Sequence, residues 1–216
     1  MIVEHFTGEK VEFAPVDWKG KWISTGSVMH AVAEGDTVWG TGLISGTHKR
    51  IMPKANYAAV RGPLTRQVCG LEVEVFGDPA LLLPLIYRPQ FEKKHAIGII
   101  PHYTDKTIIK NNHRLQSEGH VIDIQAPWRT VIDEILSCER IISSSLHGVI
   151  AAEAYGIPAS WAHWGNGIIG GEFKFQDYFM GTRRKAQEYG KRIRPIENIA
   201  EIQAELLNAL PWKKTP

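Results

Sequence analysis

The chain has 216 residues, 44% of them hydrophobic, with 25 Lys and Arg set against 23 Asp and Glu. This is the composition of a soluble globular protein; it excludes disordered and collagenous classes, and a net charge of +2 leaves no bulk electrostatic case for nucleic acid. Two cysteines, Cys69 and Cys138, make neither a disulfide framework nor a zinc box, and the charged start MIVEHFTGEK lacks the apolar stretch of a signal peptide. The expectation is a cytoplasmic protein with no membrane span and no nucleic-acid partner.

Strand-length hydrophobic runs alternate with helix-length amphipathic ones, the pattern of an α/β protein with parallel sheet. Strands are predicted at 37–40 (TVWG), 57–61, 72–76, 96–101 (AIGIIP), 120–124 (HVIDI), 140–143 (RIIS) and 158–161. Trp128, Val131, Ile132, Ile135 and Leu136 repeat at helical spacing behind Pro127, which predicts a helix there. A second helix is predicted over 146–155, stopped by Gly156 and Pro158, and a last one over 196–210, ending before Pro211. Residues 84–94 (PLIYRPQFEKK) carry two prolines and no periodicity and read as a linker. They separate an abbreviated N-terminal α/β unit, 1–88, from a C-terminal unit, 95–216, closed by the last helix.

The strongest local feature is RIISSSLHGVIAAEAYGIP at 140–158. A β-branched strand ends in Ser143, Ser144 and Ser145 and enters a helix through Leu146, His147 and Gly148. At the carboxyl end of a parallel strand the helix amides and dipole favour an anion, and small residues let it approach the backbone. His147 adds a titratable group; the plainer reading is three caps and a surface histidine. Arg61, before Gly62 and Pro63, is either a planar ligand for carboxylate or phosphate or a solvated arginine. Asp78 before Pro79 reads first as a cap, with a base or sugar-orienting role as the alternative. His102 follows a strand, with Asp105 nearby, and is equally an edge histidine or a functional one. Around the glycine-rich stretch 161–179, Trp164 is the ring expected in a sugar-stacking lid, and Phe173, Phe175 and Phe179 are expected in a core. The histidines have no metal-ligand spacing, so no metal is expected; Gly40–Gly46 misses the dinucleotide fingerprint by one residue, and no P-loop occurs.

Taken in order, GTGL at 40–43, VRGPLT at 60–65, GDPALLLP at 77–84, IGIIPHYTD at 97–105, VIDI at 121–124, CERIISSSLHGVIAAEAYGIP at 138–158 and FKFQDYF at 173–179 resemble the polysaccharide pyruvyl transferase family, in its bacterial exopolysaccharide branch. The resemblance covers roughly residues 22–182. It implies two Rossmann-like units facing a cleft, similar to two-domain (GT-B-like) glycosyltransferases. It also implies transfer of the enolpyruvyl carbons of phosphoenolpyruvate to two sugar hydroxyls, giving a pyruvate ketal and phosphate. Phosphoenolpyruvate is then a donor substrate and no cofactor is implied; the acceptor is a glycan or a lipid-linked oligosaccharide, with a peripheral place at the inner membrane left open. The family histidine of the Leu-His pair maps onto His147, and a donor-binding arginine onto Arg61. Ser145 stands where some members have arginine, so the donor anion must be held by backbone amides, Arg61 or another cation. The donor set is accordingly Arg61, Ser144, Ser145, Leu146, His147 and Gly148. His147 is the first choice for proton donor, Asp78, His102 and Glu153 are candidate bases, and Trp164 and Glu153 are candidate acceptor contacts. Family members open with an Asn-x-Gly-Asp-type segment, and this sequence has none. One alternative, from fold analogy alone, is a nucleotide-sugar glycosyltransferase; the other, prompted by the missing segment, is a truncated non-catalytic member that binds a glycan or anion.

Overall fold

The computed structural model describes residues 1–47, 51–165 and 170–212. It divides into two compact units. The first comprises Met1–Leu82, Gly170–Ala186 and Asn198–Pro216; the second comprises Leu83–Ile169 and Gln187–Glu197. The sequence suggests a single crossing near 84–94, whereas the chain changes unit after Leu82 and then returns to the first unit twice.

In chain order the first unit supplies α1 (Ile2–Thr7), β1 (Trp22–Ile23), β2 (Thr37–Trp39), β3 (Asn56–Ala59) and α2 (Pro63–Cys69). The second supplies α3 (Leu83–Ile86), β4 (His95–Ile100), α4 (Lys106–Lys110), α5 (His113–Glu118) and β5 (His120–Val121). It continues with α6 (Trp128–Leu136), β6 (Cys138–Ser143), α7 (Leu146–Ala154) and β7 (Ala159–Trp161). The first unit is completed by α8 (Phe173–Gly181) and α9 (Ile199–Asn208). The architecture is α/β with two parallel sheets, ordered β1-β2-β3 and β5-β4-β6-β7.

In the first unit Ile23, Met29, Val38, Leu43, Val60, Cys69 and Val73 form the core. The run 72–76, expected as a strand, contributes a parallel bridge from Phe76 to Val60 and then leaves the sheet at Gly77, whose φ of 144° turns it away. Strand β1 was not legible because two residues carry no periodicity. It is pinned by a buried ion pair: Lys21 Nζ stands 2.7 Å from Asp36 Oδ2, and Asp36 Oδ1 accepts from the Lys21 backbone N–H. Trp39 is fully buried and its indole N–H donates to the Leu206 carbonyl of α9 at 2.9 Å. Helix α8 packs so closely on the turn after β3 that glycine is required on both sides. A Cβ on Gly62 would lie 1.8 Å from the Asp177 carbonyl oxygen, and one on Gly181 would lie 2.1 Å from that of Arg61. Gly62→Ala is therefore expected to cost about 1–3 kcal/mol or more in urea unfolding, since backbone must move to admit the methyl. A change within error would mean that α8 is not seated there.

Burial pushes the Asp36 carboxyl up, but the hydrogen bonds from Lys21 and Ala33 outweigh it and hold the group below its ordinary value of 3.8. A carboxyl depressed in the folded state stabilises above its unfolded value, and that contribution is lost as pH falls through the folded value. The stability gap between wild type and Asp36→Asn should thus be full at neutral pH and close progressively below 3.8. Urea titrations at several pH values measure it; a gap independent of pH would show that charge is not what Asp36 contributes.

In the second unit β4 and β6 run side by side at the sheet centre, with β5 and β7 outside them. Val131, Ile132 and Ile135 are buried on one face of α6, as their spacing predicts. Helix α7 is apolar nearly all round because seven of its nine residues are buried. A Cβ on Gly148 would meet Ser143 Oγ at 2.4 Å and Ile100 at 2.9 Å, so this glycine sets how closely α7 approaches β4 and β6. The Tyr155 hydroxyl donates to the Tyr87 carbonyl at 2.6 Å, and burial raises its pKa. Both cysteines are buried, and burial likewise pushes the Cys138 thiol up. Among the described residues no helix is long and apolar enough to cross a membrane.

Candidate functional site

All strands of the second sheet are parallel, so their carboxyl ends and the loops that follow share one edge. In open α/β sheets this is where ligands bind. Three segments meet there: Pro101–Asp105 after β4, Ser144–Ser145 after β6, and 162–165 after β7. Hydrogen bonds tie the first two together. Ser144 Oγ accepts from the His102 N–H at 2.8 Å and donates to Asp105 Oδ2 at 2.6 Å. Ser143 Oγ donates to the Ile100 carbonyl at 2.9 Å and accepts from the Ser145 N–H at 3.0 Å. The third segment reaches Asp105 as well, because a Cβ on Gly165 would stand 3.2 Å from Asp105 Oδ1.

The serine run is therefore a clamp between strand ends. Ser145 is the N-cap residue of α7 with extended backbone, but its side chain makes no cap hydrogen bond. The capping that the plainer reading expected is absent, and the first turn of α7, at Leu146, His147 and Gly148, presents its amides to the sheet edge. Leu146 is buried and His147 half-buried. His102 holds its own turn: its Nδ1 lies 2.7 Å from Thr104 Oγ1 and accepts from the Thr104 N–H. Trp164 is half-buried in the loop after β7; the continuation of the expected lid, 166–169, lies outside the described residues. Glu153 occupies the far end of α7, about 9 Å along the helix axis from His147, and the structure does not bring it to the sheet edge.

Arg61 and Asp78 belong to the first unit. Arg61 is fully buried, and its guanidinium donates to Asp177 Oδ2 at 3.1 Å, to Ser27 Oγ at 2.6 Å and to the Leu43 carbonyl. Asp177 also accepts from the Thr65 N–H at 2.8 Å and the Thr65 hydroxyl at 2.6 Å. Gly42 leaves room for this network, since a Cβ there would lie 2.5 Å from the Arg61 guanidinium carbon. Arg61 is thus enclosed rather than solvated, and no local pattern marks its partner on α8. Asp78 is buried and its Oδ1 accepts from the Ala80 N–H at 3.0 Å, at the head of a short 3-10 turn over Pro79–Leu82. Phe175 and Phe179 are fully buried in the first unit, while Phe173 is half-buried beside Gly46.

In the sequence Asp105 stands out only as a neighbour of His102, and His163 does not stand out at all. Asp105 sits where a helix cap would, directly before α4, which conceals any other role. His163 lies in an aromatic stretch, and its ring packs against Trp161 and Tyr189 at centroid distances of 5.2 and 4.9 Å. Among the described residues no group of three or more His, Cys, Asp or Glu side chains is arranged to hold a metal ion. The chemistry this edge offers is hydrogen bonding, helix amides toward an anion, and proton transfer by histidine or carboxylate.

An uncharacterized protein of Acanthamoeba polyphaga mimivirus is 35% identical over 130 residues, which cover 56% of this chain and 45% of that protein. The match thus spans less than half the length of that relative. No solved structure matches the chain. The sequence pattern of polysaccharide pyruvyl transferases matches residues 38–161, a stretch that runs from β2 through His102, Asp105 and the Ser144–Gly148 segment to the end of β7. The chain belongs to the polysaccharide pyruvyl transferase family.

Proposed function

We propose that the chain catalyses transfer of the enolpyruvyl group of phosphoenolpyruvate to two hydroxyls of a sugar, forming a pyruvate ketal and releasing phosphate. The observation that carries this reading is the family match across 38–161, which includes the strand ends and the α7 N-terminus. The fold that goes with it is a pair of Rossmann-like units similar to two-domain glycosyltransferases, and the setting is exopolysaccharide biosynthesis in the cytoplasm.

The chemistry follows from the donor. A proton added to the methylene carbon generates a methyl group and an oxocarbenium-like centre, which one sugar hydroxyl attacks. The second hydroxyl displaces phosphate and closes the ketal. One hydroxyl proton balances the proton that made the methyl group, and the other leaves with phosphate. The donor carries only negative groups, so it suits the amides of Leu146 and Gly148, the Ser144–Ser145 turn and His147 as proton donor. His102 is the nearer candidate to take a hydroxyl proton, since it lies on the same sheet edge. Arg61 and Asp78, in the first unit, are assigned to that unit's own integrity, Arg61 through its buried ion pair and Asp78 through its cap. Trp164 offers a ring for the acceptor glycan.

The experiment is phosphate release from phosphoenolpyruvate by the purified chain, with and without a panel of glycans. Release that requires a glycan is expected. Heat stabilisation by a nucleotide sugar, with none from phosphoenolpyruvate, would instead favour a glycosyltransferase. Donor binding without turnover on any glycan would favour a non-catalytic member.

A further inference from the structure

Four fully buried aspartates differ in how their charge is met. Asp36 faces Lys21 and Asp177 faces Arg61, while Asp78 Oδ1 takes the Ala80 amide. Asp105 follows none of these. It occupies the N-cap position of α4, yet its side chain makes no cap hydrogen bond. It turns to the sheet edge, where Ser144 holds Oδ2. Its Oδ1 is buried and has no hydrogen-bond partner among the described residues. A buried carboxylate oxygen without a donor is costly, and such atoms persist where a ligand completes them.

A second atom of this kind lies on the neighbouring loop. His163 Nε2 is buried and has no hydrogen-bond partner among the described residues. The two are linked in space by the β7 loop itself, because Gly165, two residues after His163, is the glycine whose Cβ would approach Asp105 Oδ1. The His163 ring is fixed between Trp161 and Tyr189, and Tyr189 is 50% exposed. An exposed ring, that of Tyr189, beside two unsatisfied polar atoms is a combination that suits a carbohydrate subsite.

The sign of the charge selects the ligand. Phosphoenolpyruvate offers a phosphate and a carboxylate, which Asp105 repels. A sugar hydroxyl offers an O–H that Asp105 Oδ1 can accept, and a neighbouring hydroxyl can donate to or accept from His163 Nε2, according to the tautomer. We infer that Asp105 and His163 form the acceptor subsite, holding two hydroxyls of one sugar residue as a diol pair. Gly165 brings no side chain of its own to Oδ1. This inference rests on the proposed ketal chemistry, which needs two hydroxyls held together, and assigns Asp105 and His163 as positioning residues for them.

The test separates the subsite from the reaction. Methyl galactoside, glucoside and mannoside at about 50 mM, a level suited to weak carbohydrate binding, are examined by saturation-transfer NMR with no phosphoenolpyruvate present. Their fully O-methylated counterparts serve as controls. Wild type is expected to saturate at least one free glycoside and not its methylated form. Asp105→Asn and His163→Ala should each weaken that binding roughly tenfold. In the turnover assay both should raise the acceptor KM while leaving calorimetric binding of phosphoenolpyruvate within about twofold. Asp105→Asn should also melt no lower than wild type, because it removes a buried charge; a purely structural aspartate would lower the Tm. The subsite is overturned if wild type binds no glycoside, if binding survives both substitutions, or if Asp105→Asn loses donor and acceptor affinity together with stability. Glycoside binding through Asp105, in a protein that neither binds nor consumes phosphoenolpyruvate, would keep the subsite and sink the pyruvyl transfer.

Discussion

Asp177→Ala is expected to destabilise the first unit by about 3–5 kcal/mol, the range for removing one partner of a buried ion pair. Both side chains of the Arg61–Asp177 pair are wholly enclosed, so water cannot replace the lost carboxylate. The substitution strands the guanidinium, which otherwise donates to Asp177 from Nε, and also the Thr65 N–H and hydroxyl. Domains are stable by only about 5–15 kcal/mol, so the loss is a large share of the total. Asp177→Asn should lose less, since an amide oxygen can still accept from Arg61 or Thr65. Replacing both residues by apolar ones, as in Arg61→Met with Asp177→Leu, should recover much of the loss because no charge is left unpaired. Urea unfolding measures all three; an Asp177→Ala loss below about 1 kcal/mol would show that the pair is not shielded from water as its burial implies.

His147→Ala is expected to reduce kcat/KM for phosphoenolpyruvate about 100- to 10,000-fold, the range for losing a positioned proton donor. The residue is half-buried at the start of α7, with its backbone in the helix. Its removal should therefore alter stability far less than activity. The contrast with Arg61 is the informative part. Arg61→Ala should abolish activity by unfolding the first unit, visible as a lowered Tm, whereas His147→Ala should abolish it in a protein that melts nearly as wild type does. An active His147→Ala variant would move the proton donor elsewhere, with His102 next in line at the same edge. Loss of donor binding in that variant, measured by calorimetry, would assign His147 to holding phosphate as well.

The sheet edge was legible because it is encoded locally. β-branched runs ending in small residues mark β4 and β6, and spacing marks α6. The Ser-Ser-Ser-Leu-His-Gly junction puts its residues at a strand end and helix start whatever the rest of the chain does. Helix α8 was illegible for the converse reason. Its phenylalanines read as core residues without a helical frame, and only the turn after β3 shows why they are helical: Phe175, Asp177 and Phe179 are buried in the first unit, and Gly62 and Gly181 permit the approach.

By itself, then, the sequence determined an α/β chain with parallel strands, the segments that end at a common edge, and the family. The tertiary structure decided what each charged side chain does. Arg61 could be a ligand or a solvated residue until a carboxylate 116 positions later was seen to meet it. Asp105 was only a neighbour of His102 in the sequence until its side chain was found on Ser144, with one oxygen unmatched among the described residues. Secondary structure follows from neighbours a few residues apart, whereas the partner of a buried charge is set by which distant segments the fold brings within about 3 Å.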